Sequence, residues 1–295
     1  MFHRSMALAG TWYPRTAAAC LERMRAWEQP YAAATPHPDS AARCCIAPHA
    51  GWMYSGRLAA RAIRAAAGTG ADTVRLVVVL GGHLHRDDPV IAMCEGQWET
   101  PFGPFLIHPG FDSRLEGLPD VVRESSSRNE PDNSVEVLLP FARMFFPKAE
   151  LLPIRVPPSE VALDLGARLA GYLASEGMPA AVIASTDLTH YGPSYGFEPR
   201  GRGVAAEQWV REQNDPQCIR AIESGSGRTI LDSARRQRNA CCPGAVAAIN
   251  EIVRAHAMPP NFRMLEYATS LDAAREADPG VAAHDFVGYV AGIYD

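Results

Sequence analysis

Uninterrupted apolar runs alternate along the chain with segments whose apolar residues recur at helical spacing. The runs at 44–47, 73–80 and 180–185 are rich in β-branched and small side chains and lack the alternation of a half-exposed strand. Such runs are typical of strands covered on both faces. Residues 15–28, by contrast, place apolar side chains three or four positions apart, which predicts an amphipathic helix.

The same patterns predict elements along the rest of the chain. Ser134 is a candidate N-cap, and Pro216 is a candidate helix break. Residues 29–42 contain three prolines and predict a loop. Further helices are expected at 57–67, 134–146, 161–175, 203–238 and 245–256, and further strands at 151–156, 263–268 and 286–293.

The order of these elements favours one fold class. It is largely β-α-β-α, which predicts an α/β sandwich with a mostly parallel central sheet. The chain has 295 residues, enough to bury a sizeable core. No long linker interrupts it, so we expect a single domain over residues 1–295.

Composition and net charge argue against several classes of protein. Hydrophobic residues make up 47% of the chain and charged residues 21%, as in ordinary globular proteins. A net charge of −5 argues against a broad nucleic-acid-binding surface, and the apolar run near the start is too short for a signal peptide or a membrane span. We therefore expect a cytoplasmic protein that binds neither nucleic acid nor membranes. The seven cysteines, an odd number with two adjacent pairs, argue against a disulfide framework.

Polar side chains follow the three buried runs directly. His49 follows the first run, His83 and His85 follow the second, and Asp187 and His190 follow the third. Ligands of open α/β sheets bind at the carboxyl ends of the strands. These side chains are therefore expected to converge on one edge of the sheet.

A metal ion suits this set of residues. Two neutral imidazoles and one anionic ligand fit a divalent transition ion such as Fe²⁺, Cu²⁺ or Zn²⁺. Cys241, just ahead of the predicted helix at 245–256, would supply the anion as a thiolate.

Each of these residues also has a purely structural interpretation. A histidine in a turn, such as His49, is often a hydrogen-bonded structural residue and not a ligand. The adjacent cysteines could be small buried core residues, and Asp187 and His190 could cap a helix.

Several segments together resemble the Memo family, also called AmmeMemoRadiSam system protein B. The most specific segments are APHAGWMYSG at 47–56, STDLTHYG at 185–192 and ACCPGAVAAI at 240–249. Supporting segments are AGTWYP at 9–14, WETPFG at 98–103, NSVEVLLPF at 133–141 and VGYVA at 287–291. The resemblance therefore spans nearly the whole chain.

The resemblance implies a fold similar to that of class III (LigB-type) extradiol dioxygenases, which are non-haem iron enzymes. It also implies a site of two histidines and a cysteine that holds iron or copper. By position, His49 matches the first histidine and Cys241 matches the cysteine. Asp187 and His190 match the pocket residues of the family motif S-D-x-x-H-Y.

The second histidine ligand lies in a segment that departs from the family pattern. The family usually has Leu-Gly-Pro-(Ser/Asn)-His, whereas this chain has LGGHLH at 80–85. A one-residue deletion aligns His83 with the ligand and keeps the later WETP segment in register. A gapless match places Leu84 there instead. We favour His83, with His85 in reserve.

The expected function is that of a metal-dependent oxidoreductase. His49, His83 and Cys241 would hold one iron or copper ion, iron being the leading candidate. The open positions would take O₂ and a small aromatic or phenolic substrate, as in an oxygenase. His190 is the candidate general acid–base, and Asp187 would orient an imidazole or accept a substrate proton.

Tyr54, Trp52, His85 and Asn133 are candidate walls of the substrate pocket. Asn133 stands where the family usually has a histidine, and Cys242 stands where it tends to have glycine. Two other classes of function remain open. One is a non-catalytic module that binds a peptide or a phosphorylated ligand. The other is a zinc hydrolase, because two histidines and a cysteine also suit Zn²⁺.

Overall fold

The computed structural model describes residues 2–27, 42–256 and 261–294. Strands and helices are numbered separately in chain order. The predicted loop at 29–42 lies outside the described residues except for Ala42, which begins a strand.

The strands are β1 (His3–Arg4), β2 (Ala42–Ala47), β3 (Leu76–Gly81), β4 (Val90–Ala92), β5 (Gln97–Trp98), β6 (Phe105–Leu106), β7 (Val121–Arg123), β8 (Glu150–Arg155), β9 (Ala180–Ser185), β10 (His190–Tyr191), β11 (Phe262–Thr269) and β12 (Phe286–Tyr294). The helices are α1 (Ala17–Trp27), α2 (Gly56–Ala67), α3 (Asn133–Glu136), α4 (Leu139–Phe145), α5 (Glu160–Glu176), α6 (Val204–Trp209), α7 (Asp215–Glu223), α8 (Gly227–Gln237), α9 (Pro243–His256) and α10 (Ser270–Ala277). Short 3₁₀ helices lie at Gly68–Thr73, Asp112–Leu115 and Pro193–Tyr195, and a π-helical turn at Val210–Asn214 joins α6 to α7.

The main sheet is mixed. Its strands lie in the order β10-β12-β2-β9-β3-β8-β4-β7, and β11 also pairs with β12. The four central strands β2, β9, β3 and β8 are parallel. However, β12 runs antiparallel to β2, and β4 runs antiparallel to β8. The prediction of a mostly parallel sheet therefore holds for the centre of the sheet and is wrong for its flanks.

Helices cover both faces of the central strands. In β3, Leu76, Val78 and Leu80 pack into a core that also contains residues of α5 and α9. Val77 and Val79 point to the opposite face and pack with residues of α2 and α4. Because both faces are covered, every residue of β3 is buried. This explains why the run has no polar alternation.

The predicted helix at 134–146 is corrected in two respects. Its N-cap is Asp132, whose side chain accepts a hydrogen bond from the Val135 N–H, and not Ser134. The helix is also divided into α3 and α4. Pro140 lies in the first turn of α4, where its missing N–H costs no helical hydrogen bond.

The predicted break near Pro216 is wrong. The π-helical turn carries the chain into α7 without interruption, and Pro216 lies in the first turn of that helix. The helical stretch is divided instead between Glu223 and Gly227, where Gly225 has a φ of +67°. Glycine adopts this left-handed conformation without steric cost.

Helix α10 and strands β1, β4–β7 and β10 are absent from the sequence-based prediction. These strands have two or three residues each, too few to produce a recognisable hydrophobic period. The other predicted elements are present with shifted ends. Among the described helices, none has the length and apolar character that crossing a membrane would require.

A pair of leucine substitutions tests the two-sided core. Leu152 in β8 is fully buried, so Leu152→Ala should lower the free energy of unfolding by about 2–5 kcal/mol, since it leaves a cavity. Leu106 in β6 is 51% exposed, and Leu106→Ala should change it by no more than about 0.5 kcal/mol. Urea denaturation measures both. Equal effects would contradict the described packing.

Candidate metal centre

Three neighbouring strands and one helix bring potential metal ligands together. His49 follows β2, His83 follows β3 and Asp187 follows β9, while Cys241 precedes α9. The Nε2 atom of His49 lies 3.1 Å from Nε2 of His83 and 3.3 Å from Sγ of Cys241. The convergence expected at this sheet edge is therefore present.

The orientation of the His49 ring is set by hydrogen bonds on its other side. Its Nδ1 lies 2.7 Å from Oγ of Ser185, and its backbone N–H donates to Oδ1 of Asp187 over 2.8 Å. The residue is fully buried. A hydrogen bond at one ring nitrogen fixes the direction of the other, as is usual for metal-binding histidines. Nε2 of His49 consequently faces the cluster.

Two glycines explain how His83 reaches the same place. Gly82 has a φ of +109°, and a Cβ on it would lie 2.8 Å from Cβ of Arg155. A Cβ on Gly81 would lie 2.6 Å from Oγ of Ser134. The Gly82 N–H donates to the same Oγ atom over 2.7 Å. This tight turn directs the exposed His83 side chain toward His49.

Cys241 is held by the chain that follows β9. Its backbone N–H donates to the carbonyl oxygen of Asp187 over 3.1 Å, and the Asp187 N–H donates to Sγ over 3.1 Å. Burial alone would raise the thiol pKa. A hydrogen bond from the Cys242 thiol and the positive charges of His49 and His190 outweigh burial and hold the pKa of Cys241 well below its ordinary value. This environment therefore favours the thiolate form of Cys241.

The two histidines beside this thiolate are easily protonated. Burial lowers the pKa of each, but the negative charges of Asp187 and Cys241 dominate. They raise the pKa of His49 to about 9 and that of His190 to about 10. In the metal-free protein, positive imidazoliums therefore balance the buried negative charges.

His190 has unused hydrogen-bonding capacity. Its Nε2 lies 3.9 Å from Oδ2 of Asp187, which is too long for a hydrogen bond. This buried atom has no hydrogen-bond partner among the described residues. The His190 ring is held edge-on against Tyr195, with the ring centroids 4.9 Å apart. Its Nε2 is thus available to a ligand in the site.

The donor atoms form two overlapping groups of metal-binding type. Within each group, all ligand atoms lie within 4.8 Å of one another. A divalent ion at this point would gain thiolate and imidazole ligands, and its charge would replace that of the imidazolium protons. The residues present therefore fit a transition-metal ion. One group contains His49, His83, Cys241 and Cys242, and the other contains Asp187, His190 and Cys241.

A cavity of about 890 Å³ opens onto the cluster. Its lining includes His83, Asp187 and His190 together with Trp52, Tyr54 and Asn133. Three of the four predicted wall residues therefore lie where they were expected.

The fourth predicted wall residue, His85, does not line this cavity. Its side chain is exposed, and its backbone N–H donates to Oδ2 of Asp88 over 2.6 Å. The structure therefore brings His83, and not His85, to the cluster. Trp52 belongs mainly to the core, since its ring stacks on Phe141 with a centroid separation of 4.1 Å.

A comparison of the sequence with protein-family models identifies the family of the chain. The model described as Memo-like protein matches residues 4–287. The chain belongs to the Memo family.

Named members of the family are similar over most of their length. A MEMO1 family protein of Pyrococcus horikoshii is 30% identical over 242 residues, which cover 79% of this chain and 82% of that protein. One from Methanothermobacter thermautotrophicus is 36% identical over 202 residues, covering 64% of this chain and 70% of that protein. The structure of an uncharacterized protein of Escherichia coli K12 aligns with a TM-score of 0.49 and 11% identity, covering 80% of this chain and 92% of that one. This last likeness is too weak to establish the fold.

Sequence reasoning missed a buried polar layer beneath the Memo motif at 185–192. Asp215 is fully buried and accepts hydrogen bonds from the N–H and hydroxyl of Thr189 and from the hydroxyl of Tyr267. Burial raises the pKa of Asp215 to about 6, against the opposing effect of these hydrogen bonds. Asn214 donates to the Thr189 hydroxyl over 2.8 Å. This layer supports the segment that carries His190, and it is formed by contacts between distant segments that leave no local sequence signal.

The tight turn before His83 should not tolerate a side chain. Gly82→Ala adds a clash with Arg155 to an unfavourable backbone conformation and should lower the free energy of unfolding by about 3 kcal/mol or more. Gly103 is a matched control, with a φ of +93° and no described atom within 4 Å of an added Cβ. Gly103→Ala carries the backbone cost alone, about 1–3 kcal/mol. Urea denaturation that ranks Gly103→Ala as the more damaging change would refute this account of the turn.

Metal affinity should depend on pH through His49. The ring is protonated below about pH 9, and a metal ion binds only the deprotonated ring. The apparent affinity should therefore rise from neutral pH toward pH 9, by up to about tenfold per pH unit for each proton displaced. Competition with a chelator of known protonation measures it. An affinity that stays constant over this interval would show that no proton is displaced.

Proposed function

We propose that this Memo family member is a metal-dependent oxidoreductase in which His49, His83 and Cys241 hold one iron or copper ion. The supporting observation is that Nε2 of His49 lies 3.1 Å from Nε2 of His83 and 3.3 Å from Sγ of Cys241, beside a cavity that His83 lines. Two imidazoles and one anionic ligand are the set that non-haem oxygenases use, with a carboxylate as the usual anion.

The reaction we propose is the oxygenation of a small aromatic or phenolic substrate. When bound, the metal ion supplies one-electron chemistry and open positions for O₂ and the substrate. The cavity adds partly exposed aromatic rings at Trp12, Tyr54 and Tyr195, which are 37%, 40% and 38% exposed. Such rings favour a flat, apolar ligand, against which they stack.

His190 and Asp187 carry the proposed proton chemistry. His190 carries a proton at neutral pH, and its Nε2 is free of hydrogen bonds to the described residues. It is placed to protonate an oxygen of the substrate and to take the proton back. Asp187 holds the backbone of His49 and lies 3.9 Å from Nε2 of both histidines, so its charge keeps the proton on His190.

The proposed chemistry agrees with a LigB-type fold, which we propose as the finer class of this mixed α/β architecture. The supporting feature is that His49, His83 and Asp187 leave the carboxyl ends of three parallel strands. Ligand sites of open α/β sheets form at that edge.

Metal analysis and oxygen uptake test the proposal together. Protein purified without oxygen should contain iron or copper, and His49→Ala should lower the metal affinity by about a hundredfold or more. Cys241→Ala should abolish oxygen uptake with a panel of catechols and phenols. His85→Ala is the matched control, because His85 is exposed and lies outside the cluster, and it should leave both properties unchanged.

Other results would assign the protein to another class. Zinc in place of iron and copper, with hydrolysis of ester substrates that His49→Ala abolishes, would identify a zinc hydrolase. Protein without metal that still retains a ligand in the cavity would identify a binding module. An unchanged metal content in His49→Ala would reject the metal site itself.

A further inference from the structure

We propose that Cys242 is a fourth ligand of the metal ion, so that the site has two imidazoles and two thiolates. This inference rests on the metal site of the proposed function and adds a residue to it. Sγ of Cys242 lies 3.7 Å from Sγ of Cys241. The Cys242 sulfur and the donor atoms of His49, His83 and Cys241 all lie within 4.8 Å of one another.

The separations between these donor atoms fit a tetrahedral ion. With metal–sulfur bonds of about 2.3 Å and metal–nitrogen bonds of about 2.0 Å, tetrahedral angles separate two sulfurs by about 3.8 Å, two nitrogens by about 3.3 Å, and a nitrogen from a sulfur by about 3.5 Å. The corresponding distances in the protein are 3.7, 3.1 and 3.3 Å.

Right-angled coordination fits less well. At the same bond lengths it would give about 3.3, 2.8 and 3.0 Å, each shorter than the distance observed. These three separations therefore fit tetrahedral better than right-angled coordination, and the remaining donor atoms lie within 4.8 Å of one another.

The backbone explains how two adjacent cysteines point to one place. The Cys241 N–H donates to the carbonyl of Asp187, and the Cys242 N–H donates to Oγ1 of Thr186 over 3.2 Å. Both residues are thus tied to the chain that follows β9. They lie at a bend just before α9 begins at Pro243, and their sulfur atoms are 3.7 Å apart.

The new ligand approaches from the core side of the site. Cys242 is 1% exposed and packs with the apolar core beneath α9. Asp187 and His190 line the cavity on the other side. A fourth ligand from the core would steady the ion, and O₂ or the substrate would then join as a further ligand on the cavity side by expansion of the coordination beyond four.

A second thiolate changes the metal preference of the site. Thiolates are soft ligands that select copper(I) and zinc, whereas Fe²⁺ without sulfide is held more often by imidazole and carboxylate. Of the two metals in the proposed function, copper is therefore favoured here. Two thiolates also neutralise the charge of a divalent ion that has two neutral imidazoles.

Cobalt(II) is the probe for counting the thiolates. The metal-free protein is titrated with Co²⁺, and the sulfur-to-cobalt charge-transfer absorbance is measured at saturation. We expect Cys242→Ser to lose about half of this absorbance, as Cys241→Ser does, since each removes one of two thiolates. Cys94→Ser should lose none, because this partly buried thiol lies outside the cluster.

X-ray absorption of the zinc-loaded wild-type protein gives an independent count that needs no variant. Two sulfur neighbours at about 2.3 Å support the proposal, and one overturns it. If circular dichroism shows that Cys242→Ser does not fold, this measurement still determines whether one or two thiolates bind the metal ion.

The results also separate this inference from the proposed function. A wild-type protein that binds no Co²⁺ or Zn²⁺ would reject the metal site as a whole. A wild-type protein that binds Co²⁺ with an absorbance that Cys242→Ser leaves unchanged would overturn only the role of Cys242, and the site of His49, His83 and Cys241 would stand.

Discussion

The shared register of three parallel strands holds the rest of the site in place. Ala47 pairs with Ser185, and Leu80 pairs with Ala184, so β2, β9 and β3 end at nearly the same height. His49, Asp187 and His83 each stand two residues beyond the last residue of their strand. Backbone hydrogen bonds of the sheet thus determine where these side chains begin. A slip of one residue in any of the three strands would turn its core residues to the wrong face, so the core also enforces the register.

Charge balance is the second condition that the site must meet. Asp187 is 4% exposed, and the thiolate of Cys241 lies beside it, so two negative charges share a poorly hydrated volume. Buried charges are tolerated only when they are compensated. The raised pKa values of His49 and His190 show that protons meet this need in the metal-free protein. A cation would meet the same need with His49 deprotonated.

The parts of the structure that the sequence predicted are those with strong local signals. The ends of the long apolar runs were clear, and they located His49 and Asp187 at the edge of the sheet. The N-cap of α3 was predicted at Ser134 and lies at Asp132, because both residue types cap helices and only the backbone conformation decides between them. Strands of two or three residues, the π-helical turn before α7 and the support that Asp215 gives to Thr189 depend on contacts between distant segments, which no local pattern encodes.

The turn at Gly82 lies where this chain departs from the Leu-Gly-Pro pattern of the family, and it is hydrogen-bonded to the segment at 132–134. The Gly82 N–H donates to the Ser134 hydroxyl, and that hydroxyl donates to the Asp132 carboxylate. A proline at position 82, as in the usual Leu-Gly-Pro pattern, would have no N–H to donate. The loop before His83, Ser134 and Asp132 therefore form one hydrogen-bonded unit. The hydroxyl of Ser134 thus couples the start of α3 to the turn that positions His83, so these two distant segments keep their geometry together.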